Sequence, residues 1–279
     1  MKRRSTGSFR SSFISGGAQS RDRRRTSNRT RDYFNVLVLF LVSVGTLLAG
    51  CASRDGGHHE PEAAREELRK RGIAFTPQGF MDVARKGDPE TVALFLDAGM
   101  DANSRGETQE TALMEAAGSG HDAALLVLLK RGADLTLIDS EGYTALHRAA
   151  KAVTTSRCVQ VLLHYGADPN VRSFGGNTPL TEAIPVWPMI SRAQAHLLST
   201  SLDIQALLLD RGADVNAANN RGFTPLMQAA IGGHPQVVRL PLDRGANVKL
   251  ANAQGQTAED IAHQYGHDEA AKLIEEAGG

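Results

Sequence analysis

The 279 residues carry 31 Lys or Arg against 31 Asp or Glu, a formal balance of zero that is unevenly spread. Residues 1–34 hold ten basic side chains against two acidic ones, a net of +8, whereas residues 51–279 hold 21 against 29, a net of −8. An acidic main body argues against nucleic-acid binding, which needs a basic footprint, and two cysteines, Cys51 and Cys158, are too few for a disulfide-built scaffold.

Sixteen uncharged, mostly apolar residues, NVLVLFLVSVGTLLAG, follow the basic stretch at positions 35–50 and lead into Cys51. A positive flank, a short apolar core and small residues at its end are the parts of a secretory signal. The core falls short of the ~20 apolar residues of a spanning helix. Its last residues, Leu48-Ala49-Gly50-Cys51, resemble the lipobox of bacterial lipoproteins. The resemblance implies cleavage between Gly50 and Cys51, diacylglycerol on the Cys51 sulfur and acylation of the new amino terminus. Two or more acyl chains anchor a protein durably where one does not. In such lipoproteins an Asp after the Cys favours the inner membrane. Ala52 stands here, so the resemblance implies the outer membrane, facing the periplasm. The basic region is longer than that family usually has. With Cys51 lipidated, Cys158 has no disulfide partner. Residues 52–61, ASRDGGHHEP, read as a flexible tether, with His58-His59 solvated rather than metal-binding.

The segment 62–71, EAAREELRKR, is rich in helix formers with acids first and bases last, which predicts a helix. Beyond it the chain repeats. A late glycine recurs at Gly99, Gly132, Gly166, Gly212, Gly245 and Gly278, at intervals of 33, 34, 46, 33 and 33. A threonine keeps step at Thr111, Thr144, Thr178, Thr224 and Thr257. Each threonine predicts a helix N-cap, and proline after it is tolerated there because its missing N–H has no helical partner. Alanine pairs such as Ala116-Ala117 and Ala149-Ala150 let helices approach closely. A Gly-His pair breaks the chain, a Leu- and Val-rich second helix follows, and the late glycine ends it.

These residues resemble the ankyrin repeat, with Gly142-Tyr-Thr144-Ala-Leu-His147-Arg-Ala-Ala150 the best match to its signature. The resemblance implies an all-α solenoid of stacked helix-turn-helix units with hairpin loops projecting at about a right angle. The domain then spans 62–279: an N-terminal helical cap at 62–105, repeats near 106–139, 140–173, 174–219 and 220–252, and a C-terminal cap at 253–279. The first unit, Phe80–Asp101, shows no Thr-Pro-Leu start, and Lys272, Glu275 and Glu276 charge the last helix, as end units require. Two features depart from the pattern. Some thirteen extra residues fall near 185–200 and contain the only tryptophan, Trp187. Trp187 is either part of a protruding contact patch or folded back over neighbouring units. Pro241 stands where sister units have Leu128, Leu162 and Leu208, which predicts a weak or bent second helix.

Nothing here reads as an enzyme or as a site for a cofactor or small-molecule substrate. His121, His234 and His267 fill the Gly-His position, and His147 belongs to the repeat start. His263 and His267 are four apart, but Gly266 interrupts them and no third ligand is near, so no metal is expected. Cys158, inside an apolar stripe, reads as buried and inert. The resemblance implies a protein partner, bound on the concave surface of hairpin tips and first helices. The tips include Arg105, Glu107, Ser140, Glu141, Tyr143, Phe174, Asn177, Asn220, Arg221, Phe223 and Gln254, and the first-helix positions are Glu115, Arg148, Lys151, Glu182, Gln228 and Ile231. The strongest candidates are Tyr143, Phe174, Phe223, Arg221, Arg148, Lys151, Gln228 and Trp187. The aromatic tips have a second role open to them, packing between hairpins. The expected function is thus a lipid-anchored, protein-binding module of the bacterial envelope. The alternatives are a regulator or protector of one envelope enzyme and, further off, a metal-handling protein.

Overall fold

The computed structural model describes residues 60–186 and 195–278, and thirteen helices lie among them. The order is α1 (Pro61–Lys70), α2 (Pro77–Lys86), α3 (Pro89–Asp97), α4 (Ala112–Ser119), α5 (Asp122–Lys130), α6 (Ala145–Ala152) and α7 (Ser156–His164). There follow α8 (Pro179–Glu182), α9 (Ala195–Asp210), α10 (Pro225–Gly232), α11 (Pro235–Asp243), α12 (Ala258–Gln264) and α13 (Asp268–Gly278). One isolated antiparallel bridge, Arg105 to Thr111, is the extent of β pairing among the described residues. The helices form antiparallel pairs from α2/α3 to α12/α13. First helices stack on first helices and second on second, so two layers run the length of the domain. The helix expected at 62–71 is α1, which buries Ala64 and Leu68 against α3.

Local chemistry sets the helix starts. Thr111, Thr178, Thr224 and Thr257 each accept the N–H three residues on, at 3.3–3.4 Å, satisfying one of the helix's orphan donors. Thr76 does the same for Gly79 at 3.1 Å, with Pro77 at the first helical position. The first unit therefore has the Thr-Pro start that sequence reading missed, because Gln78 stands where the leucine was sought. At Thr144 the box is closed by a histidine: the Thr144 N–H donates to His147 Nδ1 at 3.2 Å.

The inter-helix histidines join successive units. His121 Nε2 donates to the carbonyl of Arg85 and His267 Nε2 to that of Ile231, each at 3.1 Å. Their rings lie over Gly87 and Gly233. A Cβ there would fall 2.2–2.3 Å from ring atoms, and φ is near +70° at both, so glycine is required twice over. The second-helix glycines are followed by a linking asparagine. Asn103, Asn170 and Asn216 accept the N–H of Asp134, Asp214 and Asn247 in the next unit, each at 2.8 Å.

The 185–200 region divides the domain. In that unit the first helix, α8, has four residues where α4 and α6 have eight. The second, α9, has sixteen where α5 and α7 have nine. Part of the insertion is therefore extra helix rather than loop. Residues 187–194, with Trp187, lie outside the described residues, as do Gly50, Cys51, His58 and His59. One apolar core runs from Ala64 to Leu208, and a second gathers Ile184 with residues of α10 to α13. Helix α9 touches both, giving Ile204 and Leu208 to the first and packing Leu198 and Leu202 against the second. Between them it buries Ser201, which donates to the Ala183 carbonyl at 2.7 Å, and Gln205, whose Oε1 has no partner among the described residues. Helix α11 runs through the buried Pro241 to Asp243, leaving the Val237 carbonyl without the N–H that residue 241 normally supplies.

Candidate functional site

The surface singled out from sequence is the face of the first helices together with the hairpin tips. Three of the tips are each organised by one buried polar residue. Asp139 Oδ1 accepts the N–H of Glu141 at 2.8 Å and of Tyr143 at 2.9 Å. Asn219 does this for Arg221 and Phe223, and Asn252 for Gln254 and Gln256. Adjacent hairpins are bonded backbone to backbone: Ser140 to Thr108, Phe174 to Glu141, Asn220 to Gly175 and Ala253 to Arg221, at 3.0–3.1 Å. The tips thus form a continuous ribbon.

Several candidates face inward along that ribbon. Tyr143 is buried, stacks on His147 at 5.3 Å and donates its hydroxyl to Glu182 Oε1 at 2.9 Å. Burial and the Glu182 carboxylate push its phenol up to about 12. Of its two possible roles, Tyr143 takes packing between hairpins. Arg148 donates through Nε to Asp139 Oδ2 at 2.9 Å, and that carboxylate has no exposed side-chain surface. Burial works against the Asp139 charge. The Tyr143 N–H, the Arg148 guanidinium and the Glu141 N–H outweigh it and hold the carboxyl below its ordinary value. Arg148 is therefore a structural partner as well as a half-exposed cation. His147 Nε2 donates to the Asn177 carbonyl at 3.0 Å, and burial lowers its pKa, so the ring is neutral.

Other candidates face solvent. Phe174 is 65% exposed at its tip, held from behind by its N–H bond to Glu141. Arg221 lies over the half-buried Phe223 ring, 5.2 Å from its centroid. Lys151 projects over Tyr143 at 4.7 Å and stands 3.9 Å from Glu182 Oε2. Gln228 and Ile231 are half-buried on α10. An open cavity of about 260 Å³ lies between α4 and α6, lined by Glu115, Gly118, Ser119, Arg148 and Lys151 among others. Sequence reasoning identified Glu115 as exposed surface; the cavity beside it depends on the distance between two helices and had no sequence signal.

The remaining reactive groups are committed elsewhere. Burial pushes the Cys158 thiol up to about 12. His267 is bonded to Ile231, and among the described residues no three His, Cys, Asp or Glu gather as metal ligands. Among them too, no helix is long and apolar enough to cross a membrane.

Residues 80–173 and 195–278 match the family described as ankyrin repeats, three copies. The chain belongs to the ankyrin-repeat family. It is 31% identical over 178 residues to an ankyrin repeat-containing protein of Treponema pallidum, covering 63% of this chain and 55% of that one. Four other curated relatives are matched over about a third of their length or less. Among solved structures, an ankyrin repeat domain from Acinetobacter baumannii AYE superposes with a TM-score of 0.59 at 28% identity, over 71% of this chain and 97% of that one. A chain from the complex of the Bdellovibrio bacteriovorus predatory endopeptidase Bd0816 with the immunity protein Bd3460 gives 0.59 at 27%, over 71% and 96%. The all-α ankyrin solenoid expected from the sequence is the fold observed, and the family is one of protein-interaction modules.

Proposed function

We propose that this chain is a non-catalytic protein-binding module, held on the bacterial cell envelope by lipid on Cys51 and facing the periplasm. The observation that carries the binding reading is the joined ribbon of hairpin tips beside the first helices. It presents Phe174, Arg221 and Lys151 to solvent on a scaffold whose His121, His147 and His267 are spent on backbone carbonyls. A rigid surface with an exposed aromatic and flanking cations suits a folded protein partner. The anchoring reading rests on the sequence of residues 1–51 alone. A second, narrower reading is that the module restrains or protects one envelope enzyme. It is favoured by the likeness to a chain from an endopeptidase–immunity protein complex.

In-envelope crosslinking tests this directly. The native chain would be compared with a Lys151→Glu, Arg221→Glu variant, with Cys51 intact in both. Arg148 is left unchanged because it holds Asp139. A partner captured by the native chain and lost in the variant supports the module reading, and its identity decides whether it is an enzyme. The absence of any specific capture overturns it. A Cys51→Ser chain that stays with the membrane fraction after carbonate extraction overturns the lipid anchor.

A further inference from the structure

This inference rests on the protein-binding reading and names the chemistry of the partner at one point of the face. Gly118 widens the cavity between α4 and α6; a Cβ there would sit in van der Waals contact with that of Arg148, at 3.7 Å. The two cations that line it are already engaged, Arg148 with Asp139 and Lys151 with Tyr143 and Glu182. Glu115 is held less closely: it pairs with Arg85 at 3.8 Å from Nε, beyond hydrogen-bond reach, and the Arg85 guanidinium is bonded to Asp82 as well. Among the described residues no donor hydrogen-bonds the Glu115 carboxylate, although its side chain retains only 21% exposure.

A largely covered carboxylate without hydrogen-bond donors is unfavourable, since it has given up much of its hydration for one long ion pair. Burial accordingly raises its pKa, and Glu110 and Asp82 add to the rise against the pull of Arg85 and Arg148. A donor arriving from outside would restore what is missing. The floor beside the carboxylate is Gly118 and Ser119, room for a methylene stem rather than a second charge. We propose that the groove between α4 and α6 receives a lysine or arginine side chain of the protein partner, its cation against the Glu115 carboxylate and its stem over Gly118.

Two measurements on the full chain in detergent or envelope test this. Amide NMR would follow titration with the blocked tripeptide Ala-Arg-Ala and, as a control, Ala-Glu-Ala. The expected result is saturable shifts at Gly118 and Ser119 with the arginine peptide alone, weakened about tenfold or more by Glu115→Gln. Shifts spread over the surface, or unchanged by Glu115→Gln, overturn the proposal. Crosslinking would then compare native and Glu115→Gln chains in the envelope. A loss of capture of about tenfold supports it. Equal capture overturns this inference and leaves the binding module standing. No capture by the native chain overturns both.

Discussion

Two stretches of this solenoid answer the same sequence pattern differently. Repeats 106–139 and 140–173 have first helices of eight residues, and their apolar contacts belong to one core. Of the next two, 174–219 has a first helix of four residues and a buried polar pair in α9, 220–252 has a proline inside α11, and the core splits in two there. A repeat protein is stabilised mainly by its neighbours, so a weak unit is a weak point in the whole stack. The comparison teaches that the groove beside Glu115, Arg148 and Lys151 sits on the regular half, and the irregular half is expected to open more readily.

The largest effect should come from breaking the regular half at its best-bonded tip. Asp139→Ala removes the acceptor for two N–H groups and leaves Arg148 without its carboxylate, a loss of about 3 kcal/mol. Asp139→Asn should cost about 1 kcal/mol, because Asn219 and Asn252 show that an amide holds the same turn. Denaturant melts of both variants check this, and equal losses would show that the ion pair, not the turn, carries the energy.

A smaller change of opposite sign is expected in the other half. Pro241→Leu restores the N–H owed to the Val237 carbonyl and should raise stability by about 1–2 kcal/mol, less than the full penalty of an interior proline. No rise in melting temperature would show that the unit is not weakened there. Hydrogen exchange sharpens the same point: amides of α10 and α11 should exchange faster than those of α4 to α7, and Pro241→Leu should narrow the gap.

The smallest effect is a pH dependence confined to the regular half. His147 has its folded pKa lowered, chiefly by burial, against the opposing pull of the Asn177 carbonyl, Glu182 and Asp139. The unfolded chain therefore binds the proton more readily, and the stabilisation is present above the ordinary histidine value of about 6.5 and lost as pH falls below it. Melting temperature should drop between pH 7 and pH 5.5, and less so in His147→Gln. An equal drop in both would assign the acid response to other groups.

The sequence by itself determined the repeat and most of the helix starts. Thr111, Thr224 and Gly233 act on groups three or four residues away, so their caps are legible in a string of letters. What α9 would make of the insertion was less legible, because Ala195–Thr200 extends a helix only where a neighbouring unit gives Leu198 something to cover. Tertiary structure decided the rest. Tyr143 looked like a contact residue until Glu182, 39 positions on, accepted its hydroxyl. Arg148 looked like a free cation until the hairpin fold brought Asp139 beneath it. Glu115 acquired its half-covered place beside a groove only when Gly118 and α6 came together around it. Side chains within one turn of each other are positioned by the backbone between them. Those that meet across units are positioned by packing, which no local spacing encodes.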